Sequence, residues 1–408
     1  MGNNIPQGYK ATALGIIPQE WEVMRLEDLC HNEGDYGINA PATDFSDKLP
    51  TYLRITDIDD DGKFIIANKA SVNNPNSGSY HLKDGDIVFA RTGATVGKTY
   101  LYNREDGDLV FAGFLIRFSP NAQKIVPYYL KAYTNTSTYW KWVKITSQRS
   151  GQPGINATEY CSLQIPVPPL AEQRKIAEVL GVWDEAIEKQ ARLIEKLALR
   201  KRGLMQRLLS AKLRLPGFSE PWKIHKLQEL FTERNETNRT DLPLLSITGD
   251  RGVILQTESE KRDTSNDDKS KYKRIAKGDI GYNTMRMWQG RSALSGLEGI
   301  VSPAYTIVVP NTDVDGYYMS VLFKQPRLIY DFWTHSQGLV GDTLNCKYRD
   351  FGQVHICCPP LAEQKAITEV LTAADREIEL AKEKLERLRR QKRGLMQQLL
   401  TGKKRVKY

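Results

Sequence analysis

The chain has 408 residues, 40% of them hydrophobic, and carries a formal net charge of +9. That length suits two or three domains with ordinary cores, and no apolar run approaches the ~20 residues of a membrane span. The opening Met-Gly-Asn-Asn-Ile-Pro-Gln-Gly-Tyr-Lys lacks the apolar stretch of a secretion signal. A cytoplasmic location is therefore expected, and the basic balance agrees with a polyanionic partner without requiring one.

From about Pro18 to Ile165, short strand-like runs alternate with turn residues. They are Tyr52-Leu53-Arg54-Ile55, Asp86-Ile87-Val88-Phe89-Ala90, Lys98-Thr99-Tyr100-Leu101-Tyr102 and Phe114-Leu115-Ile116-Arg117-Phe118. A helix is predicted from Pro127 to Trp142. The loop Arg91-Thr92-Gly93-Ala94-Thr95-Val96-Gly97-Lys98 contains a stretch, Gly93 to Thr99, that looks like a phosphate loop. It is one residue short between its glycines and runs into a strand-like Tyr-Leu-Tyr instead of a helix, so ATP binding is not expected.

Next comes a long helix, opened by Pro168-Pro169, since proline is tolerated at a helix start. Its apolar positions step by four and three: Ile176, Leu180, Trp183, Ile187, Ile194, Leu197, Leu204 and Leu208. A second arm repeats the style of the first, with strand-like runs near Ile254, at Asp279-Ile280-Gly281-Tyr282-Asn283 and at Ala304-Tyr305-Thr306-Ile307-Val308-Val309, then a helix near Gly316 to Phe323. The chain ends on a second long helix with Ile367, Leu371, Ala374, Ile378, Ala381, Leu385, Leu388, Leu395 and Leu399 on its seam.

The two long helices are copies. Pro168 to Lys212 aligns without gaps on Pro359 to Lys403, an offset of 191 residues with roughly half the positions identical. Pro-Pro-Leu-Ala-Glu-Gln and Lys-Arg-Gly-Leu-Met-Gln occur in full in both. The arms are more distant cousins: Trp21 to Leu29 echoes Trp222 to Leu230, and Gly85-Asp86-Ile87 echoes Gly278-Asp279-Ile280. The division is 1–165, a globular arm; 166–213, a helical repeat; 214–356, a second arm; and 357–408, a second helical repeat.

The seam is a heptad pattern, kept for about six heptads in a rod of roughly 60 Å. It is interrupted at Gln190, and in both copies at Lys201 and Lys392. Charge is polarised along each rod, with Glu172, Glu178, Asp184, Glu185 and Glu188 early and Arg200, Lys201, Arg202 and Arg207 late. The second copy does the same, with Glu363, Glu369, Asp375, Glu377 and Glu379 before Arg387, Arg389, Arg390, Lys392 and Arg393. Helix-dipole complementarity accounts for part of this. Side by side and antiparallel, acidic starts would also lie against basic ends. The expected fold is α+β: two globular arms separated by two long helices that form an intramolecular antiparallel coiled coil with pseudo-two-fold symmetry. A coil with another chain is the alternative.

Reading DNA requires side chains of fixed donor and acceptor pattern on exposed loops. The first arm offers Arg91, Thr92 and Lys98 in one loop and Gln148, Arg149 and Gln152 in another. The second arm offers Asn283, Arg286, Gln289 and Arg291 at the equivalent place, then His335 and Lys347. Any one of these suits a solvated loop equally well; as a set at equivalent places, nucleic-acid contact is the favoured reading. Five scattered cysteines with no CxxC pair indicate reduced thiols. Cys346, His355, Cys357 and Cys358 fit no common zinc spacing, and the cysteines read as buried strand residues.

With its repeated Pro-Pro-Leu-Ala-Glu-Gln helices and its Gly15-Ile16-Ile17-Pro18-Gln19-Glu20-Trp21 segment, the chain resembles, over its whole length, the specificity subunit (HsdS) of a Type I restriction–modification system. The resemblance implies that the arms are target-recognition domains, each reading one half of a bipartite double-stranded DNA target, and that the coiled coil sets a spacer of unread bases. It implies two methyltransferase (HsdM) subunits using S-adenosylmethionine, and ATP- and Mg-dependent restriction and translocase (HsdR) subunits. The specificity subunit itself would be no enzyme and hold no cofactor or metal. Two alternatives stay open: a specificity subunit of a related restriction–modification type, and a coiled-coil assembly protein with protein-binding arms. For an unrecognised enzyme, the sequence offers no paired carboxylate or metal constellation at a sensible spacing.

Overall fold

A computed structural model describes residues 5–249, 251–259, 266–338 and 344–407. Met1 to Asn4, at the start of the segment weighed as a leader, lie outside the described residues. The chain forms two compact units, Met1–Ala191 with Glu383–Tyr408, and Arg192–Lys382. No helix among the described residues is long and apolar enough to cross a membrane.

In the first unit, β1 (Glu22–Arg25) is followed by β2 (Asp35–Tyr36), β3 (Ile87–Ala90), β4 (Thr99–Leu101) and β5 (Leu115–Phe118). The last four form an antiparallel sheet in the order β2-β5-β3-β4. Alternate residues of a strand face opposite sides, and here both sides are covered. Ile87, Phe89, Ile116 and Phe118 enter one core, while Val88, Ala90, Tyr100 and Leu115 enter another. This is why Ile-Val-Phe-Ala reads as an unbroken apolar run rather than an alternating one. The second core is closed by a further four-stranded sheet that includes Thr51–Leu53 and Leu109–Phe111. The predicted strand at Tyr52 to Ile55 stops at Leu53, because Asp57 accepts from the Arg54 backbone and guanidinium and folds the next residues into a tight turn.

The single helix predicted from Pro127 to Trp142 is two helices, α1 (Pro127–Tyr133) and α2 (Ser137–Thr146). Thr136 breaks it: its hydroxyl accepts the Tyr139 N–H and caps α2. After them, β6 (Gln164–Val167) returns to pair with β1, and α3 (Leu170–Leu208) begins.

The second unit repeats this plan. Its sheet, formed by β8 (Phe231–Arg234), β9 (Ile280–Asn283), β10 (Ser292–Leu294) and β11 (Tyr305–Pro310), has the order β8-β11-β9-β10. β7 (Lys223–Lys226) pairs with β12 (His355–Cys358) as β1 pairs with β6. Between them run α4 (Gly316–Leu322) and α5 (Pro326–His335), again two helices; the second was not anticipated from sequence. The outer strands differ, the second unit having two separate antiparallel pairs there among the described residues, and the first unit also has a hairpin of Tyr9–Thr12 with Gly15–Pro18. The shared Gly-Asp-Ile is a turn: Gly85 and Gly278 take φ of +86° and +95°, which suits glycine, and Asp86 and Asp279 accept the N–H of Lys83 and Ala276. Cys358 is buried, but Cys357, expected to be buried beside it, faces outward on alternating β12.

α3 and α6 (Leu361–Leu399) span 39 residues each. Within the first unit, Ile176 and Leu180 of α3 share a core with Leu395, Met396 and Leu399 near the end of α6. Within the second, Ile367 and Leu371 of α6 share one with Leu204 and Leu208 of α3, and Ile194, Leu197, Ile378 and Ala381 form a smaller cluster. The start of each helix thus lies against the end of the other, antiparallel and within one chain. Ile187, Leu385 and Leu388 are only half-buried, as a seam of two helices leaves them.

The residues that interrupt the heptads are satisfied. Lys392 reaches Asp184 at 2.5 Å, and Lys201 reaches Asp375 at 2.5 Å. Each aspartate also accepts from a tyrosine of the adjoining arm, Tyr128 or Tyr317. Burial, and then those carboxylates, push both phenols above their usual range. Arg200 pairs with Glu377, completing the acidic-to-basic match.

Candidate nucleic-acid interface

The repeated Pro-Pro-Leu-Ala-Glu-Gln proves to be structural. Glu172 is fully buried, accepts Trp21 Nε1–H at 3.0 Å, and is held by Arg405 at 2.6 and 2.9 Å. Glu363 is held in the same way by Trp222 at 3.2 Å and Arg214 at 2.6 and 2.8 Å. Each buried carboxylate at the start of one helix is therefore met by the arginine that follows the other. Gln173 and Gln364 accept the backbone N–H of Val126 and Asp315, tying each helix start to its arm.

In the first arm, the loop after β3 and the segment after α2 are zipped together. Gly93 N–H donates to Pro153 O at 3.0 Å and Ile155 N–H to Arg91 O at 2.8 Å. Gly93 has φ +74°, a backbone conformation that favours glycine. The structure thus brings Arg91, Thr92 and Lys98 beside Gln148, Arg149 and Gln152. It does not leave all of them free. Arg149 is clamped by both oxygens of Glu159 at 2.6 Å and donates to Thr146 O and Gln148 O. Lys98 Nζ lies 2.6 Å from Asp60, and the Arg91 guanidinium sits 4.8 Å above the Tyr36 ring. Thr92 packs its hydroxyl toward Pro153 O, while Gln148 and Gln152 are exposed.

The second arm has the same two-part tip. Cys346 N–H donates to Thr284 O, joining the loop after β9 to the segment after α5. Asn283, Arg286, Gln289 and Arg291 line one cleft of about 640 Å³ together with Thr248, Trp288 and Tyr305. Asn283 spends its oxygen on the Met285 N–H, which fixes the turn. His335 Nδ1–H donates to Asp331 O at the end of α5, away from that lining, and exposed Lys347 precedes the short helix Tyr348–Gly352.

Sequence reasoning missed the outer face of α2. Trp140, Lys141, Lys144 and Ile145 are exposed there, and the helix leans on the first loop, where a Cβ at Gly97 would meet Val143 and Trp140. The signal was present as basic and aromatic residues on one side of a helix, but the misplaced helix boundary hid it.

A family model described as the Type I restriction modification DNA specificity domain matches residues 18–198. The chain is 28% identical to a putative type I restriction enzyme MjaX specificity subunit of Methanocaldococcus jannaschii, over 98% of this chain and 97% of the relative. It is 24% identical to the MjaVIII specificity subunit of the same organism, over 96% and 94%. Among solved structures, a chain from work on complex assembly and conformational transition of the type I R-M system superposes with a TM-score of 0.58 at 18% identity, covering 95% of this chain and 99% of that one. The type I S subunit from M. genitalium gives 0.53 at 13%, covering 98% and 97%. At these identities the structural likeness speaks for the fold.

Proposed function

We propose that this chain, which belongs to the family of Type I restriction–modification specificity subunits and is thus a non-catalytic subunit, reads one half of a bipartite DNA target with each arm. The observation that carries this is the repeated tip: two zipped segments at the same end of the same four-stranded sheet in both arms, rich in arginine, lysine and amides. A duplicated reader joined by duplicated helices suits two half-sites with a fixed gap, as paired readers do in dimeric DNA-binding proteins. The gap of unread bases is assigned to α3 and α6. The blocks that these helices repeat in full, Pro-Pro-Leu-Ala-Glu-Gln and Lys-Arg-Gly-Leu-Met-Gln, suit two identical partners, and methyltransferase subunits are assigned to dock on them. S-adenosylmethionine, ATP and Mg belong to those partners and to the restriction subunits, all acting in the cytoplasm.

The test is to assemble the chain with methyltransferase subunits, expose DNA to the complex, and sequence the methylated bases. Two short specific blocks separated by a constant number of unread bases are expected. Exchanging residues 20–165 for another such arm should change one block alone. Failure to associate, or methylation without sequence preference, overturns the reading.

A further inference from the structure

The two arms differ in how their arginines are employed. In the second unit most arginines near the sheet are matched to acids: Arg234 with Asp279 at 2.7 Å, and Arg274 with Glu236 at 2.8 Å and Glu298 at 2.6 Å. Among the described residues, Arg286 and Arg291 have no carboxylate partner and no carboxylate lines their cleft. Trp288, Tyr305, Met285 and Ile247 supply the apolar part of a lining that is otherwise polar.

The loop carrying both guanidiniums is held in one shape. Arg286 N–H donates to Asn283 O, Gln289 N–H to Arg286 O and Trp288 Nε1–H to Met285 O, and Gly290 closes the turn at φ +69°. Arg291 lies over Gly249, where a Cβ would stand 2.7 Å from its Nη1. Guanidiniums carried on a braced loop, with no acidic partner among the described residues and aromatic rings beside them, are suited to a planar ligand edge with two acceptors. Guanine presents N7 and O6 in that way in the major groove, and the arginine fork is its commonest partner. Both arginines are exposed to a ligand, and a phosphate contact would fix position without carrying sequence.

We propose that this cleft is where the second arm reads guanine, with Arg286 and Arg291 as its specificity-determining residues and Gly249 as the residue that makes room for Arg291. The inference rests on the DNA-reading function above. It implies at least one G·C pair in the half-site belonging to the second arm.

The experiment is methylated-base sequencing with the assembled methyltransferase. The half-site of the second arm is the block that stays unchanged when residues 20–165 are exchanged. It should contain a G·C pair, and Arg286→Ala or Arg291→Ala should each relax one position of it about 10- to 100-fold. Arg291→Lys, which keeps the charge but loses the fork, should relax it too, and Gly249→Ala should imitate Arg291→Ala by displacing the guanidinium. An unchanged first block in every variant shows that the complex is folded and active. A half-site without G·C, unaltered specificity, or an even loss across all sequences that Arg291→Lys restores (the mark of a phosphate contact) overturns the guanine assignment. Absence of any sequence preference in the unaltered complex overturns instead the function on which it rests.

Discussion

The ends of the long helices and the tips of the arms diverge at different rates. At the helix ends both units repeat one closure residue for residue: a buried glutamate, a tryptophan and an arginine, then a lysine, an aspartate and a tyrosine. At the tips the backbone plan repeats but the chemistry does not. Arg149 and Lys98 are engaged by acids in the first arm, whereas Arg286 and Arg291 are not engaged by any described acid in the second. A buried charge left without its partner costs several kcal/mol, whereas an exposed loop accepts most substitutions. Duplication has therefore preserved what the helices must do twice and released what the arms do separately.

The comparison breaks most clearly at Arg405. Replacing it by Met leaves Glu172 buried with only Trp21 to bond, a loss of about 3 kcal/mol or more. Hydrogen exchange should show lost protection in the N-terminal arm, far away in sequence, and little change in residues 192–382. Arg214→Met should give the mirror result. Equal loss in both regions from either variant would show that the closures are not local to their units.

One place in the helical framework does differ. The fifth residue of α1 is Lys131, buried and bonded to Thr99 Oγ1 at 3.0 Å; the fifth of α4 is Ser320. Burial, aided by Lys392, lowers the Lys131 pKa from 10.5 to about 8, against the opposing pull of Asp59, Asp184 and Asp61. Folding therefore favours its neutral form. Below pH 8 the folded state bears the full cost of the buried ammonium; between pH 8 and 10.5 it has lost a proton that the unfolded chain keeps, so stability rises with pH through that window. Lys131→Met should remove that rise, stabilising the first unit by roughly 2 to 3 kcal/mol at pH 7 and by almost nothing at pH 10.5. Denaturant midpoints across pH for the two proteins check this, and parallel curves would refute it.

The sequence disclosed the duplication, the antiparallel seam and the loops that come together at both tips because each leaves a local or periodic mark. The charge gradient along α3 and α6 did become ion pairs, Lys201–Asp375 and Lys392–Asp184 among them. It did not disclose why Pro-Pro-Leu-Ala-Glu-Gln is repeated: the partners of Glu172 lie 151 residues before it and 233 after it, and no period connects them. Nor could loop composition distinguish Arg149 from Arg286. Both are arginines after a regular element, and only the fold puts Glu159 against one of them.

That last difference can be undone, with the smallest expected effect. Glu159 also accepts the Asn156 N–H in the cap of the short helix Ala157–Cys161, and Gln at 159 can keep that bond while losing its charge. The Arg149–Glu159 pair is part-exposed, so Glu159→Gln should cost about 1 kcal/mol at most in stability. It should instead release the guanidinium and make the first tip resemble the second. If Arg149 then meets a phosphate, affinity for DNA rises a few-fold for every sequence, and the salt dependence steepens by about one unit in log–log slope. If it meets a base edge, one position of the first half-site changes and the second half-site does not. If neither affinity nor specificity moves, the segment after α2 lies off the DNA, and the two tips would differ in position as well as in charge.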